Sequence, residues 1–251
     1  MRSYIAFVKK ELIEAIRTYK LFIMVVVFLL FGFMGPALAK LTPEIAKMSK
    51  IQMTIPTPTA LDSWTQFFKN VGQLGLIVLV VVFCGMIAHE FSRGTLINML
   101  TKGLNRSTVI LSKFTVATVI WTLSYLVCLA VSYIYTAYFW KMDGMHHVFL
   151  SFFSMWLFGV LLITFVLLGG ALFKNMIGSL LFAVGASVVM MLINIAPMLQ
   201  KYNPGTLASG NMSLLAAQKG VSDFMPALII CAALIIAFVA VSIVVFNKKQ
   251  I

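Results

Sequence analysis

Six runs of this chain are too apolar to face water: Leu21 to Ala39, Val71 to Ala88, Val109 to Phe139, Val148 to Phe173, Met176 to Ala196 and Pro226 to Phe246. The single charged side chain in all of them is Lys113. A helix of about 20 residues crosses the roughly 30 Å hydrocarbon layer, and each run is near or above that length. Inside lipid a backbone must satisfy its own N–H and C=O groups, which leaves a helix as the form such a run can take. The expected fold is therefore all-α, a polytopic membrane protein whose six transmembrane helices form one domain over residues 1–251. Only 10% of residues are charged, against about 25% in soluble domains, so a water-soluble enzyme or binding module is excluded.

An even number of spans puts both termini on one side, and the basic residues choose which. With both termini cytoplasmic, the inner pieces carry twelve Lys and Arg, including Arg93, Lys102, Arg106, Lys113 and Lys174, and the longer outer pieces carry seven. That is the positive-inside bias. Tyr133, Tyr135, Tyr138, Phe139 and Trp140 crowd the outer end of the third span as an interfacial belt does. The net charge of +12 is accounted for by topology and by contact with anionic membrane lipid. No basic cluster sits in a soluble domain, so no nucleic-acid partner is expected.

The charged start over residues 1–20, the apolar stretch after it and then Ala37-Leu38-Ala39 match the outline of a leader peptide, but helical spacing favours another reading. Ile5, Val8, Leu12, Ile16 and Tyr19 share one face and Lys9, Lys10, Glu11, Glu14 and Arg17 take the others, which predicts an interfacial elbow helix with its apolar side down. Lys10, Glu14 and Arg17 fall within one turn and can pair. On the outer side, residues 40–70 predict a helix starting at Thr42-Pro43-Glu44, a break at Ile55-Pro56-Thr57-Pro58, and a short surface helix from Leu61 to Asn70 resting Trp64, Phe67 and Phe68 on the leaflet. Residues 197–225 hold the turn Asn203-Pro204-Gly205 and a short helix over Met212 to Lys219.

The segment 89–108 is the most specific. A simple turn between spans needs a handful of residues, yet here the chain runs EFSRGTLINMLTKGLNRSTVILSK from Glu90 to Lys113, with Leu96, Met99, Leu100 and Leu104 on one side. Such a helix lies on the membrane surface where an external partner can push it. The chain has no GxxxxGK[ST] phosphate loop. Its seven acids, Glu11, Glu14, Glu44, Asp62, Glu90, Asp143 and Asp223, all fall outside the middles of the spans, where an ion-driven carrier normally keeps an ionisable group.

Glu90, Gly94-Thr95, Leu100, the turn Lys102 to Arg106 and Lys113 resemble the intracellular loop of ABC-2 type transporter permeases. The resemblance extends more loosely to the N-terminal helix, the six spans and the long segment before the last one. It implies a bacterial plasma-membrane permease subunit of an ABC exporter, without its own ATPase site, acting with a second permease copy or a homologous permease. It also implies two copies of a separately encoded ABC ATPase that carry the ATP and Mg. Residues of the coupling segment would be Glu90, Arg93, Gly94, Thr95, Leu100, Lys102, Arg106 and Lys113. Many members have a proline in the turn before the arginine, and this chain has Gly103-Leu104-Asn105 there.

Weaker patterns take ordinary explanations. Met142 to His147 reads as a polar hairpin rather than a soft-metal site, and Cys84, Cys128 and Cys231 lie in spans and form no disulfide framework. Asn194 reads as a helix-to-helix hydrogen bond, and Gly178 and Gly185 as a face for close packing within or between subunits. Abundant Phe, Met, Leu and Val favour an amphipathic or hydrophobic cargo, such as a toxin peptide, a membrane-active antibiotic or a lipid-like drug. An ion-driven carrier or a sodium-extruding ABC permease stays open as the alternative.

Overall fold

The computed structural model describes residues 2–48, 57–92 and 105–248. Helix α1 (Arg2–Arg17) turns through Tyr19, whose φ is 58°, into α2 (Lys20–Met48). The second span is built from α3 (Ala60–Asn70), a π turn (Val71–Gly75) and α4 (Leu76–Phe83), and ends in the short α5 (Ala88–Ser92). Then come α6 (Arg106–Phe139), α7 (Val148–Phe173) and α8 (Met176–Ile193), three short helices, α9 (Pro197–Gln200), α10 (Thr206–Ser209) and α11 (Asn211–Leu215), and the last helix α12 (Val221–Lys248). Among the described residues, six helical stretches are long and apolar enough to cross a membrane, as the six apolar runs require.

Helix α7 is the centre of the bundle, because it is apolar around its whole circumference and so can be enclosed on every side. Its apolar window is 78% buried, against 17% for α8 and 22% for α12. Trp121 of α6 packs over Gly159 of α7, where any Cβ would enter the indole ring. The polar atoms of this seam are satisfied: Trp121 Nε1 donates to Trp156 O (3.0 Å), Trp156 Nε1 to Thr122 Oγ1 (2.9 Å) and Tyr125 Oη to Phe152 O (3.0 Å). Outward-facing Phe22, Ile77, Leu181, Ile229 and Ile236 are exposed in the chain by itself, which is where lipid or another apolar surface covers them.

Several expectations are corrected. Thr42 does not start a helix: α2 runs on through Pro43 to Met48, and Thr42 Oγ1 donates back to Leu38 O at 2.6 Å. The stretch Leu61 to Asn70 is no surface helix but the first part of the second candidate span, Ala60–Phe91. Trp64, Phe67 and Phe68, spaced i, i+3, i+4, are buried against Phe152 and Tyr125, since an aromatic stripe facing two apolar helices gains more by packing there than at an interface. On α1 the face expected to be apolar keeps Ile5, Ile16 and Tyr19 exposed and Val8 and Leu12 partly buried, and the structure adds a second, buried face of Phe7, Glu11 and Ala15. Of the two glycines expected on a packing face, Gly178 stands close against Phe173 at the end of α7, while a Cβ at Gly185 meets nothing within 4 Å. The tight α7–α8 contact also uses Gly169 and Ser179, with Ser179 Oγ donating to Val166 O at 2.7 Å.

Residues 197–225 fold back on the bundle. Leu207, Leu214 and Leu215 are fully buried, Ser154 Oγ of α7 donates to Asn211 Oδ1 at 2.7 Å, and His146 N to Leu215 O at 2.9 Å. The helix expected over Met212 to Lys219 is the shorter α11, ended by Ala217 at a φ of 56°. Asn194 does not bridge two spans; its Oδ1 accepts from Asn203 Nδ2 (2.8 Å) and so ties the end of α8 to this segment. The last span begins at Val221, five residues before the expected Pro226, which lies inside the helix.

Candidate functional site

The residues that matter sit where α1, α5 and the start of α6 converge. On α1, Phe7, Glu11 and Ala15 recur every fourth residue and form the buried face, so Glu11 is carried inward among apolar neighbours. On α6, Lys113 is two turns in and 2% exposed; Glu90 on α5 is 5% exposed. A buried charge is tolerated only when paired and hydrogen-bonded, and these are. Lys113 Nζ donates to Glu11 Oε2 at 2.8 Å and to Glu90 Oε1 at 3.1 Å. Lys10 Nζ donates to the other oxygen of Glu11 at 3.0 Å and to Glu90 Oε1 at 2.9 Å, and contacts Glu14 Oε2 at 2.9 Å. Lys10, Glu11, Lys113 and Glu90 thus close a ring of alternating charge, with Glu14 attached.

Electrostatics of the ring are those of mutual support. Burial by itself would lower the pKa of Lys10, but hydrogen bonds to Glu90, Glu14 and Glu11 outweigh it and raise the pKa well above that of an ordinary lysine. Burial likewise pushes Glu14 up, and the Lys10 hydrogen bond with the Lys10 and Lys113 charges brings it below the usual carboxylate range. Beside the ring lies a cavity of about 20 Å³, lined by Glu11, Glu14, Lys20, His89 and Lys113, room for one water. Ligand atoms of Glu11, Glu14 and Glu90 lie within 4.8 Å of one another. The two ammonium groups already stand among them, so the geometry is that of an ion-pair ring, not of a cation site.

A second set of contacts closes the same end of the bundle. Arg106 Nη1 donates to Phe246 O (3.3 Å) and Asn247 O (3.1 Å), the open carbonyls at the end of α12, where a cation also meets the negative end of the helix dipole. Phe91 of α5 packs edge-on against Phe246, and Lys174, held at a φ of 58° in the α7–α8 turn, lies over the Phe91 ring. Of the expected coupling residues, Glu90, Arg106 and Lys113 are therefore brought to one end, with Glu90 and Lys113 in direct contact. Arg93, Gly94, Thr95, Leu100 and Lys102 lie outside the described residues. Sequence reasoning missed Lys10 and Glu11 as partners of this segment. The signal was there: a lone lysine in an apolar run, and an acid flanked at i±4 by Phe7 and Ala15, each require an opposite charge when buried.

The profile of the ABC-2 family transporter proteins matches residues 16–194, from the end of α1 to the end of α8. Among curated proteins none matches the chain. The matched stretch contains α2 to α8, including Glu90, Arg106 and Lys113. With five of the six spans and the whole coupling segment inside the match, the chain belongs to the ABC-2 family of transporter proteins and is a multi-pass membrane permease of that family.

Proposed function

We propose that this chain is the membrane subunit of an ABC exporter that moves an amphipathic or hydrophobic cargo, such as a peptide toxin or membrane-active antibiotic, with ATP hydrolysed by a separate subunit. Permeases of this family normally work with ABC ATPase partners. The observation that carries the reading is the ring at the root of the coupling segment. Any displacement of the loop that begins at Glu90 acts at once on α1 through Lys10 and on α6 through Lys113, because all three are in one hydrogen-bonded unit. A packed, paired cluster moves as a body rather than stretching, and that is how a push at the surface becomes a helix movement. Two copies of the ATPase and a second permease complete the proposed assembly in a bacterial plasma membrane, with both termini inside.

The test uses the chain expressed with the ABC ATPase encoded beside it and reconstituted in vesicles. Hydrolysis stimulated by amphipathic peptides, and lost coupling in Glu90→Lys with ATPase association retained, is the expected outcome. Transport driven by an ion gradient without ATP would overturn it; stimulation by sodium alone would leave the exporter and remove the cargo class. Single cysteines in place of Lys47 and Lys201 should react with an impermeant thiol reagent in intact cells, and one in place of Lys102 only after permeabilisation.

A further inference from the structure

The face of α3 opposite its buried aromatics is polar. Asp62, Thr65, Lys69 and Gln73 are exposed and Gln66 half-buried, a stripe at spacings of three and four that places them on one side of the helix. Directly inward of it the exposed residues become apolar: Leu74, Ile77 and Val81. A polar face on a helix beyond the membrane would need no explanation. This one packs beside the first span. A Cβ at Gly35 of α2 would touch Phe67 N (3.5 Å), and one at Gly75 would touch the Phe28 ring of α2 (3.0 Å). With Lys20 taken as the point where the first span enters the hydrocarbon, Phe28 and Gly35 stand about 12 and 22 Å along α2, within a core about 30 Å thick. Lys69 and Gln73 lie between Phe67 and Gly75 and hence between those two levels.

A lysine and an amide at that depth do not face hydrocarbon; such groups face a water-filled space or a polar partner. Among the described residues no carboxylate lies within 4 Å of Lys69, whereas Lys10 and Lys113 are paired. We infer that Asp62, Gln66, Lys69 and Gln73 line a hydrated path open to the outer side, and that Lys69 receives the anionic group, carboxylate or phosphate, of the cargo. Lys69 supplies the unneutralised positive charge, and the Gln66 and Gln73 amides supply neutral donors one turn on either side of it. This refines the exporter reading by giving an amphipathic cargo a polar end to be held.

The experiment is cysteine accessibility in vesicles holding the chain alone, so that its outcome is independent of any ATPase. Cys84, Cys128 and Cys231 are replaced by Ala, and Gln66→Cys, Gln73→Cys, Ile77→Cys and Val81→Cys are exposed from outside to a negatively charged sulfonatoethyl and a positively charged trimethylammonioethyl methanethiosulfonate. Expected are reaction at 66 and 73 and none at 77 and 81, with the anionic reagent favoured at 73. Adding Lys69→Gln should reduce the anionic-to-cationic rate ratio at 73 about three- to tenfold, the range for one charge about 6 Å away in a wet site. Lys69→Arg should retain it. No labelling at 73, labelling equal at 73 and 77, or a ratio indifferent to Lys69 overturns the proposal. Labelling that holds while ATP dependence fails would overturn the exporter reading and leave the path.

Discussion

Replacing Lys113 by methionine is the sharpest single test of the charge ring. The lysine is 2% exposed and stands 2.8 Å from Glu11 and 3.1 Å from Glu90. At an effective dielectric constant of about 20 each of those contacts is worth roughly 5–6 kcal/mol of gross attraction, against a desolvation penalty of several kcal/mol per ion. The net value of the intact ring is therefore small, but its rupture is not. Methionine keeps the volume and strands two buried carboxylates on Lys10 alone, which should destabilise the fold by about 3–5 kcal/mol. For a chain of this size that is a drop in Tm on the order of 6–20 °C. Thermal unfolding of the detergent-solubilised protein measures it. One further outcome follows from the same physics: adding Glu90→Gln should recover about 2 kcal/mol, a strongly non-additive cycle. A change below about 1 kcal/mol, or additive single variants, would refute the view that these charges act as one buried unit.

The pH profile gives an independent check. Glu14, lowered from 4.5 in the folded protein, contributes stability that is present above that value and lost as pH falls through its folded pKa. Lys10, raised from 10.5, contributes stability that is complete below that value and lost as pH rises past it. Protection of the α1 amides against hydrogen exchange, corrected for intrinsic rate, should thus plateau between about pH 5 and 10. Asn211→Ala removes the 2.7 Å acceptor of Ser154, whose hydroxyl keeps Ser151 O at 2.9 Å, and should cost about 0.5–1.5 kcal/mol, seen as faster proteolysis within residues 197–225. Gly159→Val drives a side chain into Trp121 and should lower stability by about 1–3 kcal/mol or more, with a changed Trp fluorescence spectrum. Arg106→Ala uncovers the terminal carbonyls of α12 and should raise exchange in its last turn while changing global stability by only about 1 kcal/mol.

Much of the architecture was legible because lipid is an unforgiving solvent. Uncharged runs of the right length have no other stable form, so the six spans, the end of α6 at Phe139 and the whole of α7 followed from local sequence. Of the segment from Glu90 to Lys113, whose length and pattern exceed what a turn needs, the described residues Glu90, Arg106 and Lys113 gather at one end of the bundle. Direction of burial was not legible. Helical periodicity says which residues share a face of α1 or α3, but not whether lipid or another helix covers it. On α3 the neighbours reversed the expectation, turning Trp64 and Phe67 inward because α6 and α7 offer an apolar wall, and on α1 they added a buried face that carries Glu11 to Lys113.

The sequence by itself determined the class, the number of spans and the family, because those depend on composition and on short-range pattern. Only the tertiary structure decided which charges meet. Apart from the neighbours Lys10 and Glu11, the members of the ring lie from about twenty to about a hundred residues apart, and nothing local relates them. Their ring exists because three helices are packed at one end of a bundle, where the penalty of burying any one charge is relieved only by the other three. The depth of Lys69 was hidden for the same reason: a residue's distance from the membrane surface is set by the helix beside it, here Phe67 against Gly35 and Gly75 against Phe28, and not by its place in its own segment.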